Sequence, residues 1–230
     1  IGGLIMAFQD FKPLLGFQKS VFVGLKQFHY IFTMPSFRQA FVNTIIIAFF
    51  KITLSILVPL VLSLTLNEVT KSWFKRSVKT IVFIPYFFSW AILAGMVLEI
   101  FAYDGVINNV LESLFGMEPI AFLVSNKYFR TIVIGSDVWK GMGYNTVLLL
   151  AAITNVDPTL HEAAQVDGGG RGKQMRHVTL PGIMPMVAVL TVLGLGGILN
   201  AGFEQILIMY NPTVEKTVDI LDTLVYRLGM

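Results

Sequence analysis

Two lysines, Lys51 and Lys140, are the residues whose setting most demands a chemical role. Each stands near the middle of a long apolar run, Lys51 in 39–66 and Lys140 in 130–153, about 15 Å from either interface at 1.5 Å per residue. A lysine stem does not snorkel that far, so each ammonium must meet a partner, a bundle interior or a watered cavity. Lys51 shares a helical face with Thr44, Ala48 and Ser55 and has no carboxylate near it in sequence. Lys140 has Asp137 three residues before it and Tyr144 four after it, both on its own face; a local Asp137–Lys140 pair is the competing account. Desolvated ammonium groups favour carboxylates and disfavour cations, which points to an acidic solute. Tyr86, Phe87, Phe88 and Trp90 follow Pro85, while Trp139, Tyr144 and Asn145 surround Lys140. Aromatic faces stack on sugar rings, and amide and hydroxyl groups read sugar hydroxyls. The candidate path is therefore Lys51, Tyr86, Trp90, Trp139, Lys140, Tyr144 and Asn145, with packing at the lipid interface as the competing account for each aromatic.

A second cluster is polar and lies between two apolar runs, over 155–181. Asp157-Pro158 puts a side-chain acceptor and a proline of fixed φ where a helix can start. The helix is expected to run through Leu160, Glu162, Ala163, Ala164 and Val166 and to end at Gly168-Gly169-Gly170. Arg171, Lys173 and Arg176 follow, and Pro181 is expected to open the next apolar helix. A short helix with small alanines on one side and charges at its end can enter a groove on another protein. An ordinary solvated connector has the same composition.

The elements that must position these residues are apolar. Hydrophobic residues make up 55% of the chain and charged ones 13%, with a mean hydropathy of +0.72. A soluble core of this size would lack the polar surface to cover it, so the chain is expected to be an all-α integral membrane protein. Runs of roughly 20 apolar residues cross the hydrocarbon, and four qualify: 39–66, 78–101, 130–153 and 182–204. Residues 1–8 read as the tail of an earlier span and 217–230 as the start of a later one, so the sequence is expected to be a piece of a longer subunit. Outside the spans, 9–37 mixes aromatics with Lys12, Pro13, Gly16, Gly24 and Pro35, as in an ordered hook along the membrane surface. The 102–129 segment carries an amphipathic helical pattern from Val106 to Phe115.

The polar cluster also carries a resemblance. Glu162-Ala163-Ala164, then Asp167-Gly168, then Val178, Leu180-Pro181 and Pro185 resemble the signature loop of permease subunits of binding-protein-dependent ABC importers. Gly169 and Met175 depart from the usual alanine and aromatic. The stretches Asp10-Phe11-Lys12-Pro13 and Phe22 to Phe28 are similar to the carbohydrate-uptake branch, and within it to permeases for oligosaccharides and polysaccharides such as alginate. The resemblance implies a type I ABC importer permease fold, with a six-span core and both terminal spans truncated here, in a bacterial cytoplasmic (inner) membrane. It implies ATPase coupling through Glu162, Ala163, Ala164, Asp167, Gly168, Leu180 and Pro181 on a cytoplasmic loop. It also implies a second permease subunit, two cytoplasmic ATPase subunits that bind the ATP and Mg, an external solute-binding protein and a saccharide moved by alternating access. No cofactor or metal is expected on this chain.

Charge gives partial support for that orientation. Lys71, Lys75, Arg76 and Lys79 crowd the loop after 39–66, on the same side as 155–181. Lys12, Lys19, Lys26, Arg38, Lys127, Arg130 and Lys216 fall on the other side, so the bias is one of density. The net charge of +3 is too small and too scattered for nucleic acid. Zero cysteines exclude thiolate sites, and His29, His161 and His177 lack metal-ligand spacing. The run Gly168 to Lys173 is no phosphate loop, because Asp167 stands where its first glycine belongs and Gln174 where a Ser or Thr would hold magnesium. No nucleophile-and-base set is present, so catalysis is not expected. A permease for another small solute, or a secondary transporter driven by an ion gradient, would share the composition and the buried charges.

Overall fold

The structure, a computed structural model, describes residues 2–12, 14 and 16–229. Ile1, Pro13 and Met230, which belong to the expected terminal spans and hook, lie outside the described residues. Helix α1 (Gly2–Met6) leads into a small antiparallel pair, β1 (Gln9–Asp10) with β2 (Val21–Phe22), around α2 (Gly16–Lys19). Helix α3 (Lys26–Thr33) then turns into α4 (Pro35–Glu68), about 51 Å long at 1.5 Å per residue. Helices α5 (Ser72–Phe83), α6 (Trp90–Ile100), α7 (Val106–Phe115) and α8 (Phe129–Thr154) follow. Beyond them come α9 (Pro158–Val166), α10 (Arg171–Gln174), α11 (Leu180–Gly196), α12 (Phe203–Met209), α13 (Glu215–Val218) and α14 (Leu221–Gly229).

Helix α4 is built the reverse of a soluble amphipathic helix. Its buried stripe carries Asn43, Thr44, Lys51 and Ser63 beside Ile47, Ala48 and Leu66, while Phe49, Phe50, Leu57 and Val61 face outward. That polarity suits a helix with hydrocarbon on one side and protein on the other. By length and composition α4 and the helical run Arg171–Gly196 can each cross a bilayer. Helices α4 and α8 lie side by side and run the same way. Arg130 Nη2 donates to Asn43 Oδ1 at 2.7 Å, Lys51 Nζ meets Asp137 Oδ1 at 3.2 Å, and Asn145 Nδ2 donates to the Ser55 carbonyl at 2.9 Å. One apolar core centres on Ile47, Val97, Phe129, Val133, Ile206 and Met209; a second, at the α9 end, joins Leu66, Leu150, Ile153 and Ile183.

The run read as one span over 78–101 is two helices. Helix α5 tightens into a 3-10 turn at Ile84–Phe87, and α6 leaves at 110° to it. Pro85 sits in that turn and offers no N–H, while Ser89 starts the new helix by accepting from the Ile92 N–H at 3.4 Å. Gly143 of α8 is what lets α5 come so close: a Cβ there would run into the Val82 carbonyl and the Phe83 Cα.

The expected 182–204 span also differs at both ends. Pro181 stands in the first turn of α11 as expected, but the chain is already helical from Arg171 and enters α11 through a π turn at Met175–Thr179, where the Leu180 N–H reaches back to the Met175 carbonyl. The wider turn displaces the carbonyls that a proline ring would strike in a regular α-helix. The helix then stops at Gly196, and residues 197–202 form turns, with Ala201 at φ 45° and Gly202 at φ 91°.

Lys51 explains how that unwound stretch is held. Its side chain is 7% exposed, and its three donors meet Asp137 Oδ1 at 3.2 Å, the Ala201 carbonyl at 3.0 Å and Gln205 Oε1. Gln205, fully buried, donates onward to the Val133 carbonyl at 2.7 Å and Ser136 Oγ at 2.8 Å. An ammonium has three donors and no more, so Lys51, expected on a solute path, is instead a clasp joining α4, α8 and α12. The competing account for Lys140, a local pair with Asp137, is not realised, because Asp137 pairs across helices with Lys51.

Two outcomes test this packing in thermal unfolding of the purified protein complex. Gly143→Ala should cost about 1–3 kcal/mol through the forced displacement of α5, whereas Gly141→Ala, with nothing within 4 Å, should cost nothing. Lys51→Met should cost about 3 kcal/mol by stranding Asp137 and Gln205. Lys51→Met combined with Asp137→Leu should recover part of that loss; additive costs would mean that the two side chains are not coupled.

Candidate functional site

Helix α9 follows from its first and last residues. Asp157 Oδ1 accepts from the Thr159 N–H at 2.9 Å and from its hydroxyl at 2.8 Å. The backbone bond first, and then the hydroxyl, hold this exposed carboxyl below the ordinary aspartate range. Helix α9 ends at Val166 with Asp167 as its C-cap, and Gly168 takes φ 74°. Gly169, the departure from alanine in the signature loop, donates to the Ala164 carbonyl at 2.7 Å and approaches it so closely that a Cβ would collide with it. Gln174 Nε2 closes the turn on the Gly169 carbonyl at 2.8 Å.

No residue of α9 is buried. Glu162, Ala163, Asp167 and Gly168 are exposed, Ala164 is half-buried, and the apolar Leu160 and Val166 also face outward, Val166 at 87%. A polar loop that exposes a small-residue face with flanking apolar side chains has the makeup of an insertion into another protein. Leu180 differs from the other loop residues, since it packs against the core at this end of the bundle; Pro181 is exposed. A cavity of about 380 Å³ separates α9 and α10 from the end of α4, lined in part by Asn67, Glu68, His161, Arg171 and Gln174.

The residues expected on a solute path divide into four places. Lys140, Trp90, Tyr86 and Tyr144 come together at the break between α5 and α6. Lys140 Nζ donates to the Phe88 carbonyl and lies 5.2 Å from the centroid of Trp90. Tyr86 and Tyr144 stack at 4.8 Å and 9°, and both rings are exposed on one side. The physical reason lies in the break itself: an interrupted helix leaves carbonyls without intrahelical donors, and an ammonium at a helix C-terminus satisfies both the hydrogen bond and the dipole. Sequence reading missed the Phe88 carbonyl, because nothing in the residue types marks which backbone group a break will strand.

Asn145 lies on the other flank of α8, where it ties to α4 through the Ser55 carbonyl. Trp139 points away from Lys140, into a nearly apolar cavity of about 460 Å³ bounded by Val97, Phe101, Phe122 and Ile132. Successive helix positions lie on different faces, so adjacency in sequence to Lys140 placed Trp139 wrongly. Lys51 is enclosed as described above. Among the described residues no group of three or more His, Asp or Glu side chains is placed to hold a metal ion.

Comparison with known proteins agrees with this geometry. Residues 55–226 match the family described as binding-protein-dependent transport system inner membrane component. The polygalacturonan/rhamnogalacturonan transport system permease protein YteP of Bacillus subtilis (strain 168) is 41% identical over 228 residues, 99% of this chain and 71% of that protein. A crystal structure of a bacterial ABC transporter involved in the import of the acidic polysaccharide alginate contains a chain 38% identical, with a TM-score of 0.89 over 99% of this chain and 76% of that one. A second, of a bacterial alginate ABC transporter in complex with an alginate pentasaccharide-bound periplasmic protein, matches at 39% identity and a TM-score of 0.85 over 90% of this chain and 72% of that one. With the α9 loop, the apolar bundle and these matches together, the chain belongs to the inner membrane components of binding-protein-dependent transport systems and has the type I ABC importer permease fold.

Proposed function

We propose that this chain is the permease subunit of an ATP-driven importer for an acidic oligo- or polysaccharide. The observation that carries the cargo is the cluster at the α5–α6 break. There an ammonium half-buried beside an indole face and a pair of stacked, half-exposed tyrosines offers a carboxylate partner and two sugar-stacking surfaces on one open flank. The relatives named above, which handle polygalacturonan and alginate, support the same class. Lys140 keeps donors beyond the one that meets Phe88, which is what a passing uronate needs. Lys51 keeps none.

In this reading, two separate ATPase subunits bind ATP and Mg, a second permease completes the pathway, and an external binding protein delivers the saccharide. Helix α9, with Glu162, Ala163, Ala164, Asp167 and Gly168 presented outward, docks on an ATPase in the cytoplasm, and Leu180 and Pro181 connect it to α11. The chain would cross the membrane at about 39–66, 78–101, 130–153 and 182–204, with 1–8 and 217–230 as parts of two further spans. Contact alone transmits nothing unless it biases an element with two arrangements. The interruptions at 84–89 and 197–202 are the elements best built for that, since each breaks the regular helix.

A neutral saccharide is the second reading, favoured by the enclosure of Lys51, which leaves one free cation where two were expected. Uptake by the complete importer separates the two: Lys140→Met should lower the uptake of an acidic oligosaccharide about tenfold relative to a neutral one, in line with loss of one partly desolvated charge partner. Unchanged selectivity would remove the acidic cargo. For the docking loop, Glu162→Lys should leave the bundle folded and abolish uptake while ATP hydrolysis by the complex continues; normal uptake would remove the coupling role.

A further inference from the structure

The end of the bundle opposite α9 holds a feature that the transport pathway at Lys140 does not use. A cavity of about 550 Å³ opens between the α3–α4 turn and α13, bounded by Thr33, Arg38, Gln39, Asn43 and Lys216. Arg38 and Lys216 are exposed. Arg130, half-buried, stands directly behind, bonded through Nη2 to Asn43 Oδ1 at 2.7 Å and through Nε to the Thr217 carbonyl at 2.8 Å. Two cations, Arg38 and Lys216, thus line one opening, and a third, Arg130, is tied to Asn43 on its wall.

Among the described residues no carboxylate lies within 4.0 Å of any of the three. The acidic groups on the neighbouring segment are already engaged: Glu215 and Asp219 both pair with Arg227, at 2.9 and 2.6 Å. Asn43 is fully committed as well, since its Nδ2 donates to the Lys216 and Asp219 carbonyls at 3.2 and 3.0 Å. The start of α4 borders the same cavity, and no side chain caps it, so the positive end of a 34-residue helix adds to the field. Arg38 and Lys216, two like charges on one cavity, repel one another. Membrane proteins concentrate basic residues on the cytoplasmic side, and with α9 in the cytoplasm this cluster lies on the opposite side. The bonds of Arg130 serve the fold; neither folding nor topology accounts for Arg38 and Lys216.

We propose that Arg38 and Lys216, with Arg130 behind them, form an outer anion site that takes the carboxylate groups of an acidic saccharide before it reaches Lys140. The inference rests on the reading of the cargo given above. Arg38 and Lys216 are the contacting cations. Arg130 is a positioning residue, because its bonds to Asn43 and Thr217 join α4, α8 and α13.

The test uses the complete importer in nanodiscs, without its binding protein, and trigalacturonate as the probe at low ionic strength. Arg38→Gln with Lys216→Gln should weaken trigalacturonate binding about tenfold, while Arg38→Lys with Lys216→Arg should restore it, and 0.5 M salt should erase the difference. The wild-type affinity should be the same in phosphatidylcholine and phosphatidylglycerol discs. Retention of phosphatidylglycerol by the wild type and not by the double variant, with no trigalacturonate binding, would assign the cations to lipid and overturn the site. A double variant that loses affinity for the binding protein, loaded or empty, but binds trigalacturonate normally would assign them to docking and overturn it too. In proteoliposome uptake, an importer that carries acidic saccharide yet binds trigalacturonate equally with and without these cations keeps its cargo and loses this site. An importer that carries only neutral saccharide loses both.

Discussion

Hydrocarbon offers no hydrogen-bond partner, so every backbone group freed by a helix break and every buried charge must be satisfied from within the chain. Most of what is distinctive in this protein is a response to that constraint. Two helical runs are interrupted, after Phe83 and after Gly196, and a lysine answers each interruption. Lys140 reaches the Phe88 carbonyl at the first, and Lys51 reaches the Ala201 carbonyl at the second. The two lysines look equivalent along the chain and are opposite in use. One is closed on three acceptors and clasps helices; the other keeps an open side beside Trp90 and the Tyr86–Tyr144 pair.

The same constraint arranges α4. Its polar stripe faces α8, α12 and the 216–221 segment, where Asn43, Thr44 and Lys51 each find partners. Its outer face is given to Phe49, Phe50 and Val61, which need none. Polar contacts across helices in a membrane give modest energies individually, yet here they fix the relative register of α4 and α8 at three levels, near Asn43, Lys51 and Ser55. That register holds the cationic opening at one end of the bundle and the exposed α9 loop at the other, joined by two parallel helices.

Local chemistry made much of this legible. Asp157-Pro158 and Gly168 bounded α9 to within a residue, because caps and breakers act on their own few neighbours. The Val106 to Phe115 periodicity likewise described α7. What failed involved partners distant in sequence. Asp137 lies three residues from Lys140 and 86 from Lys51, and it pairs with the distant one. Trp139 was grouped with Lys140 because they are adjacent, and helix geometry turns it into another cavity.

Residue types and their spacing by themselves determined that this chain is helical and apolar, where its polar loop begins and ends, and which family that loop resembles, because those properties follow from composition and short-range backbone rules. Only the tertiary structure decided which lysine is enclosed and which is open, where the 78–101 run breaks, and that Arg38 and Lys216 share one opening. Each of those depends on which helix faces which across the bundle, and a hydrogen bond between segments scores of residues apart leaves no periodic signal in either one.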